Sequence, residues 1–116
     1  MKETFGKLLR ELRRKSQMSQ RELAARVGVD FSYISKVEND RLSPPSADTV
    51  VAIARALSVP EGQLLAMTGK IPSDVEQTIA TNPAAQEFLR ELQLMKLSEE
   101  EWKAIRETLS RLREAA

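Results

Sequence analysis

The amino-acid sequence predicts an all-α protein, with five helices in a first domain and two to three more in a C-terminal extension. Three observations carry this. Apolar residues recur at three- and four-residue spacing along most of the chain. Helix-capping residues (Ser19, Asp30, Ser46, Asn82 and Ser98) stand in front of those stripes. Four glycines, five prolines and scarce aromatic or β-branched runs leave no strand candidate in 116 residues.

The first helix is expected over about residues 3–15, where Phe5, Leu8, Leu9 and Leu12 form an apolar stripe. A second starts at Ser19, which has capping-box spacing to Glu22, and ends near Val27, with Gly28 as its left-handed C-cap. Two residues later Asp30 caps a third, about 31–39, with Ile34 and Val37 facing inward. Pro44-Pro45 makes 39–45 a loop. Ser46 then caps a helix to about Leu57, with Val50, Val51, Ile53, Ala54 and Leu57 as its buried face. Pro60 suits the first position of a fifth helix ending near Met67. Thr68-Gly69-Lys70-Ile71-Pro72 reads as a boundary, dividing the chain into residues 1–69 and 70–116. Beyond it, 73–80 is a short helix, Asn82-Pro83 opens one to about Lys96, and Ser98 with Glu101 opens one to about Glu114. In this last helix Trp102, Ile105, Leu109 and Leu112 are spaced 3, 4, 3, a narrow seam. Phe88, Leu89, Leu92, Met95 and Leu97 offer the facing surface.

Composition narrows the function. Hydrophobic residues at 41% and charged residues at 30% suit a folded chain. No apolar run approaches the roughly 20 residues that span a bilayer. The charged start MKETFGKLLRELRRK lacks a signal-peptide core, so a cytoplasmic protein without a membrane partner is expected. Cysteine and histidine are both absent, which excludes disulfides, zinc fingers, Cys–His pairs and Ser–His–Asp triads. Glu99-Glu100-Glu101 is a first-turn acidic run favoured by the helix dipole rather than a metal or catalytic site. No enzyme activity, cofactor or metal is expected. The net charge of +1 hides an asymmetry: residues 1–70 carry 12 Lys and Arg against 8 Asp and Glu, whereas residues 71–116 carry 6 against 9. A basic segment is followed by an acidic one.

The main clue is the pair of short helices joined by Gly28-Val29-Asp30. So tight a turn makes the helices cross steeply and frees the second to enter a major groove about 12 Å wide. SQRELAARVGVD, YISKVEND and TVVAIARALSVPEGQLL resemble the helix-turn-helix family of Cro and the phage repressors, the XRE-type regulators. The resemblance covers about residues 5–66, with Gln20, Glu22, Leu23, Ala24, Gly28, Val29, Ile34, Ser35 and Glu38 in register. It implies a five-helix Cro/repressor-like DNA-binding domain that reads double-stranded DNA.

In the family, the Gln20 position contacts the DNA backbone, beside helix N–H groups that favour a phosphate. Ser32, Ser35 and Lys36 match positions that reach bases or phosphates, Lys36 being open to either. Phe31 stands where a polar reader is common, so its ring either packs on a thymine methyl or folds back as an anchor. Tyr33 either sends its hydroxyl to phosphate or caps the core. Asn39 and Arg41 resemble the backbone clamp, and Arg10, Arg14 and Lys15 add basic charge. Arg13 and Glu38 match positions that form an internal ion pair, which would withhold Arg13 from DNA.

A single such unit makes few contacts, so a homodimer on a palindromic operator is expected, and repression of a promoter with it. Phe88, Leu92, Trp102, Ile105, Leu109 and Leu112 are the candidate dimerisation residues. Alternatives are a hairpin folded back on residues 1–66, or an antitoxin or controlled regulator whose C-terminal helices meet a toxin, antirepressor or protease.

Overall fold

A computed structural model describes residues 3–116. Eight helices and no strand occur among the described residues: α1 (Phe5–Lys15), α2 (Gln20–Val27), α3 (Phe31–Glu38), α4 (Ala47–Leu57), α5 (Glu61–Thr68), α6 (Ser73–Ala80), α7 (Pro83–Met95) and α8 (Glu99–Ala115). The chain divides into two compact units, the first running to Glu76 and the second covering Gln77–Ala116.

In the first unit α1 packs on α3 and α5, α2 on α3 and α4, and α4 on α5. Their inward faces supply one core, in which Leu9, Leu23, Ile34, Val50, Ile53 and Leu64 are fully buried. Leu12, Val27, Val29, Tyr33, Val59 and Leu65 close its margin. Val51 lies outside that core and is half-buried.

Capping groups set most helix limits. Thr4, in extended conformation, accepts from the Lys7 N–H, so α1 begins at Phe5 rather than near residue 3. Ser19 and Glu22 form both halves of a capping box, and the Ser46 side chain accepts from the Thr49 N–H. Pro60 precedes α5 instead of opening it: at φ −61° and ψ 139° it is the extended cap residue, and Glu61 takes the first helical position. The missing proline N–H costs nothing at either place, so the residue type alone did not distinguish them.

The first unit extends past the expected boundary at residue 69 because 70–73 are tied back to it. The Lys70 ammonium donates to the Pro44 and Pro45 carbonyls at 3.3 and 3.1 Å. The Ser73 N–H and hydroxyl donate to the Asp48 carboxylate. These bonds, the backbone one first, hold the Asp48 carboxyl below its ordinary range.

The second unit is built on α7 and α8. Asn82 caps α7 with Pro83 in its first turn, and Ser98 with Glu101 closes a capping box on α8. Lys96 turns the chain between them at φ 51°. Leu92 is buried and Leu97 and Ile105 are half-buried, whereas Phe88, Trp102, Leu109 and Leu112 are exposed. No described helix is long and apolar enough to cross a membrane.

Gly6 permits the close approach of α1 to the end of α3. A Cβ there would run into the Val37 carbonyl and come within 2.7 Å of the Glu38 carbonyl, both backbone atoms of α3. Gly62, on α5, has open space around it. Gly6→Ala is therefore expected to cost about 1–3 kcal/mol as an overpacking change. Gly62→Ala should be neutral or stabilising by up to about 1 kcal/mol. Urea unfolding of both variants checks the contrast.

Candidate nucleic-acid interface

The corner between α2 and α3 is made by one glycine and one aspartate. Gly28 takes φ +85°, a conformation open to a residue without a Cβ, and its N–H returns to the Ala24 carbonyl at 2.9 Å. The Val29 N–H bonds the same carbonyl at 3.0 Å. Asp30 then accepts from the Ser32 N–H at 3.1 Å and starts α3 at once. Ala24 is buried beside this corner, where a larger side chain would displace the packed helices.

Helical spacing divides α3 into two faces. Ile34, Val37 and Glu38 turn inward, Ser32 and Lys36 are exposed on the opposite side with Ser35 half-buried, and Phe31, seven residues before Glu38 and so on its side of the helix, is exposed at the first turn. Tyr33 is half-buried and packs on the margin of the core. Past the helix, Arg41 is exposed and its N–H bonds the Lys36 carbonyl at 2.9 Å. Lys36 and Arg41 have no carboxylate partner among the described residues.

The inner end of α3 is held by charge. Glu38 is 1% exposed and accepts from Arg13 through both carboxylate oxygens, Nε to Oε2 at 2.6 Å and Nη2 to Oε1 at 2.8 Å. The third donor of Arg13, Nη1, satisfies the Met18 carbonyl at 2.9 Å. Gln20 also serves this group: its Nε2 donates to Glu38 Oε1 at 3.0 Å. Burial by itself would push the Glu38 carboxyl up. Hydrogen bonds from Arg13 and Gln20, with the charges of Arg13 and Arg10, overcome that and hold it below the ordinary glutamate range. The Glu38 hydrogen bond correspondingly raises Arg13.

Two further residues are drawn into the same seam. Arg10 donates to Asn39 Oδ1 at 2.7 Å, and its Nε stands 3.6 Å from the Glu38 carboxylate. Asn39 in turn donates to the Ser35 carbonyl at 2.8 Å. Arg10 and Asn39 thus tie α1 to the last turn of α3, and their side chains are engaged within the protein. Contacts between residues 29 apart in sequence leave no local signal in it.

Sequence reasoning also missed Arg21. Its guanidinium carbon lies 4.4 Å from the centroid of the Phe31 ring, within cation–π range. Arg13, Arg14, Ser19, Gln20, Arg21 and Phe31 line a shallow concavity here. A cation in the first turn of one helix and an aromatic opening the next was the available clue. No cluster of carboxylates able to hold a metal occurs among the described residues.

Comparison with known proteins agrees with this geometry. A family model described as Helix-turn-helix matches residues 9–64. The chain is 37% identical over 73 residues to the uncharacterized HTH-type transcriptional regulator RghRB of Bacillus subtilis, covering 63% of this chain and 52% of that protein. It is 35% identical over 69 residues to the HTH-type transcriptional repressor RghR of the same organism, covering 60% and 51%. The matched segments thus span about half the length of these relatives. Among solved structures, SinR, the master regulator for biofilm formation, in complex with DNA, aligns with a TM-score of 0.51 and 29% identity over 53% of this chain and 98% of that one.

The ion pair has a pH signature. A carboxyl held below its unfolded value stabilises the fold fully above that value, and the contribution is lost as pH falls through the lower folded-state value. Wild-type stability should therefore decline on the acid side. Glu38→Gln, which leaves Arg13 buried without a counter-charge, should lose about 3–5 kcal/mol at neutral pH and flatten that acid limb. Urea unfolding at a series of pH values reads both effects.

Proposed function

This chain belongs to the XRE-type helix-turn-helix family of transcriptional regulators, and on that premise we propose that it represses transcription by binding a palindromic operator as a homodimer through α3. The observation that carries this reading is the outward face of α3. Phe31, Ser32, Ser35 and Lys36 lie on a helix whose other face is buried and whose end is locked to α1. Arg41 follows as an unneutralised charge for the phosphate backbone.

Gln20 approaches a phosphate through its backbone N–H in the first turn of α2, since one side-chain donor is given to Glu38. Arg13 and Glu38 position α3 and do not touch DNA. Asn39 supports the clamp by ordering the end of α3 rather than by direct contact. RghR is a transcriptional repressor and SinR has been solved in complex with DNA; the shared fold supports carrying both to this chain. Like a bacterial protein that acts on promoters, the chain would on this reading work in the cytoplasm.

The acidic second unit supplies the pairing surface. Phe88, Trp102, Leu109 and Leu112 are exposed apolar side chains on a two-helix unit, with Ile105 half-buried among them in sequence. Leu92, already buried, steadies that unit rather than meeting the second copy. With 6 basic against 7 acidic residues over 77–116, the unit offers phosphate no net attraction. Two copies then present their α3 helices to half-sites one turn, roughly 34 Å, apart.

Salt-titrated binding tests the reading. Lys36→Ala should weaken the best operator by about 1–3 kcal/mol while sparing random duplex. Arg41→Ala should weaken all sequences alike and reduce the salt slope by about 1. Leu109→Glu with Leu112→Glu should convert a sedimenting dimer to monomer and lower operator affinity more than random-duplex affinity. A wild-type chain that binds its best operator no better than random duplex contradicts the proposal.

A further inference from the structure

We propose that Arg21, stacked on Phe31, is a specificity-determining residue that reads a guanine at the edge of the α3 footprint; this rests on the reading of the chain as a DNA-binding regulator. Arg21 is in the first turn of α2, and Phe31 is the first residue of α3, the turn that leads into the groove. The guanidinium lies 4.4 Å above the ring and has no carboxylate partner among the described residues. Its neighbour Glu22 is occupied in the capping box with Ser19.

A guanidinium held over a ring keeps N–H donors that the ring does not use, and none of Arg21's is taken by a carboxylate among the described residues. The ring restrains the side chain before DNA arrives, so less side-chain freedom is lost on binding. A planar pair of donors matches guanine, whose O6 and N7 are both acceptors in the major groove. Adenine presents a donor beside its N7, cytosine a donor, and thymine a single acceptor, so none of them satisfies the pair. Phe31 is the positioning residue: it opens α3 with 37% of its surface exposed, and a guanidinium held over its ring stands beside the turn that leads into the groove. A phosphate contact would need no aromatic platform, and Arg14 and Arg41 are exposed cations available for that task.

The test uses the full chain and a duplex that the wild type enriches from a randomised library. Each guanine of that duplex is replaced in turn by 7-deazaguanine, which keeps base pairing and removes N7. The wild type should lose roughly tenfold or more at one guanine per half-site, and roughly 10- to 100-fold when that pair becomes A·T. Arg21→Ala and Phe31→Ala should each abolish this sensitivity while melting like the wild type. Arg21→Lys should behave as Arg21→Ala, Phe31→Tyr should retain the discrimination, and the double alanine variant should lose no more than either single one. Arg21→Ala binding that falls equally on every duplex, with a salt slope smaller by about 1, places Arg21 on phosphate and overturns the assignment. Persistence of the guanine sensitivity in Arg21→Ala also overturns it. A wild type that enriches no sequence overturns the DNA-binding reading itself, a failure distinguishable from the other two.

Discussion

Glu38 carries a negative charge with 1% of its surface exposed, and the rest of the first unit is arranged to keep that charge satisfied. Arg13 reaches it from α1 with two parallel hydrogen bonds, and its Nη1 donates to the Met18 carbonyl in the connection to α2. Gln20 reaches it from the first turn of α2. One carboxylate on α3 therefore fixes the other two elements of the reading head. A buried ion pair adds little net stability over a well-packed apolar group, because desolvation offsets much of the attraction. Its consequence here is geometric: the pair is satisfied only when α1, α2 and α3 take one mutual arrangement. Gly6 and the Arg10–Asn39 bond act on the same seam, allowing α1 to lie close against the last turn of α3.

That arrangement explains how an eight-residue helix can serve as a probe. An isolated helix of that length is marginal in water. Here Asp30 caps its start, Ile34 and Val37 anchor its inner face, and Glu38 and Asn39 secure its end. Of the positions left over, Phe31, Ser32 and Lys36 are exposed, Ser35 is half-buried and Tyr33 packs on the core margin. The second unit has the opposite character, with buried surface scarce, several large apolar side chains exposed and acidic charge in excess. The near-zero net charge of the chain is the sum of these two chemistries, one suited to a polyanion and the other to protein.

Local features of the fold were legible in the sequence. Ser19 with Glu22, Gly28, Asp30, Asn82 with Pro83, and Ser98 with Glu101 each act through neighbours within a few residues, so their spacing specifies their role. Apolar periodicity likewise marks which side of α3 is buried, because 3.6-residue spacing is a property of the segment alone. Pro60 was legible only to within one position, since the cap and the first helical residue both tolerate a missing N–H. What escaped depends on contacts across the fold. The sequence does not show that residue 6 must be glycine until α3 lies against it. It does not show that Arg10 and the Gln20 amide turn inward, or that Arg21 finds the Phe31 ring. The extension of the first unit past Gly69 has the same origin, in bonds from Lys70 and Ser73 to a loop and a helix more than 20 residues earlier.

The central claim is that DNA meets the face formed by the first turns of α2 and the outer side of α3. Amide chemical-shift mapping of the full chain, titrated with its operator duplex, tests it most directly. The largest perturbations should fall on residues 20–22, 31–36 and 41, with the buried positions Leu9, Ile53 and Leu64 little changed and residues 99–115 unaffected by DNA at constant oligomeric state. Perturbations concentrated instead on α4, α5 or α8, with residues 31–36 unmoved, would contradict it.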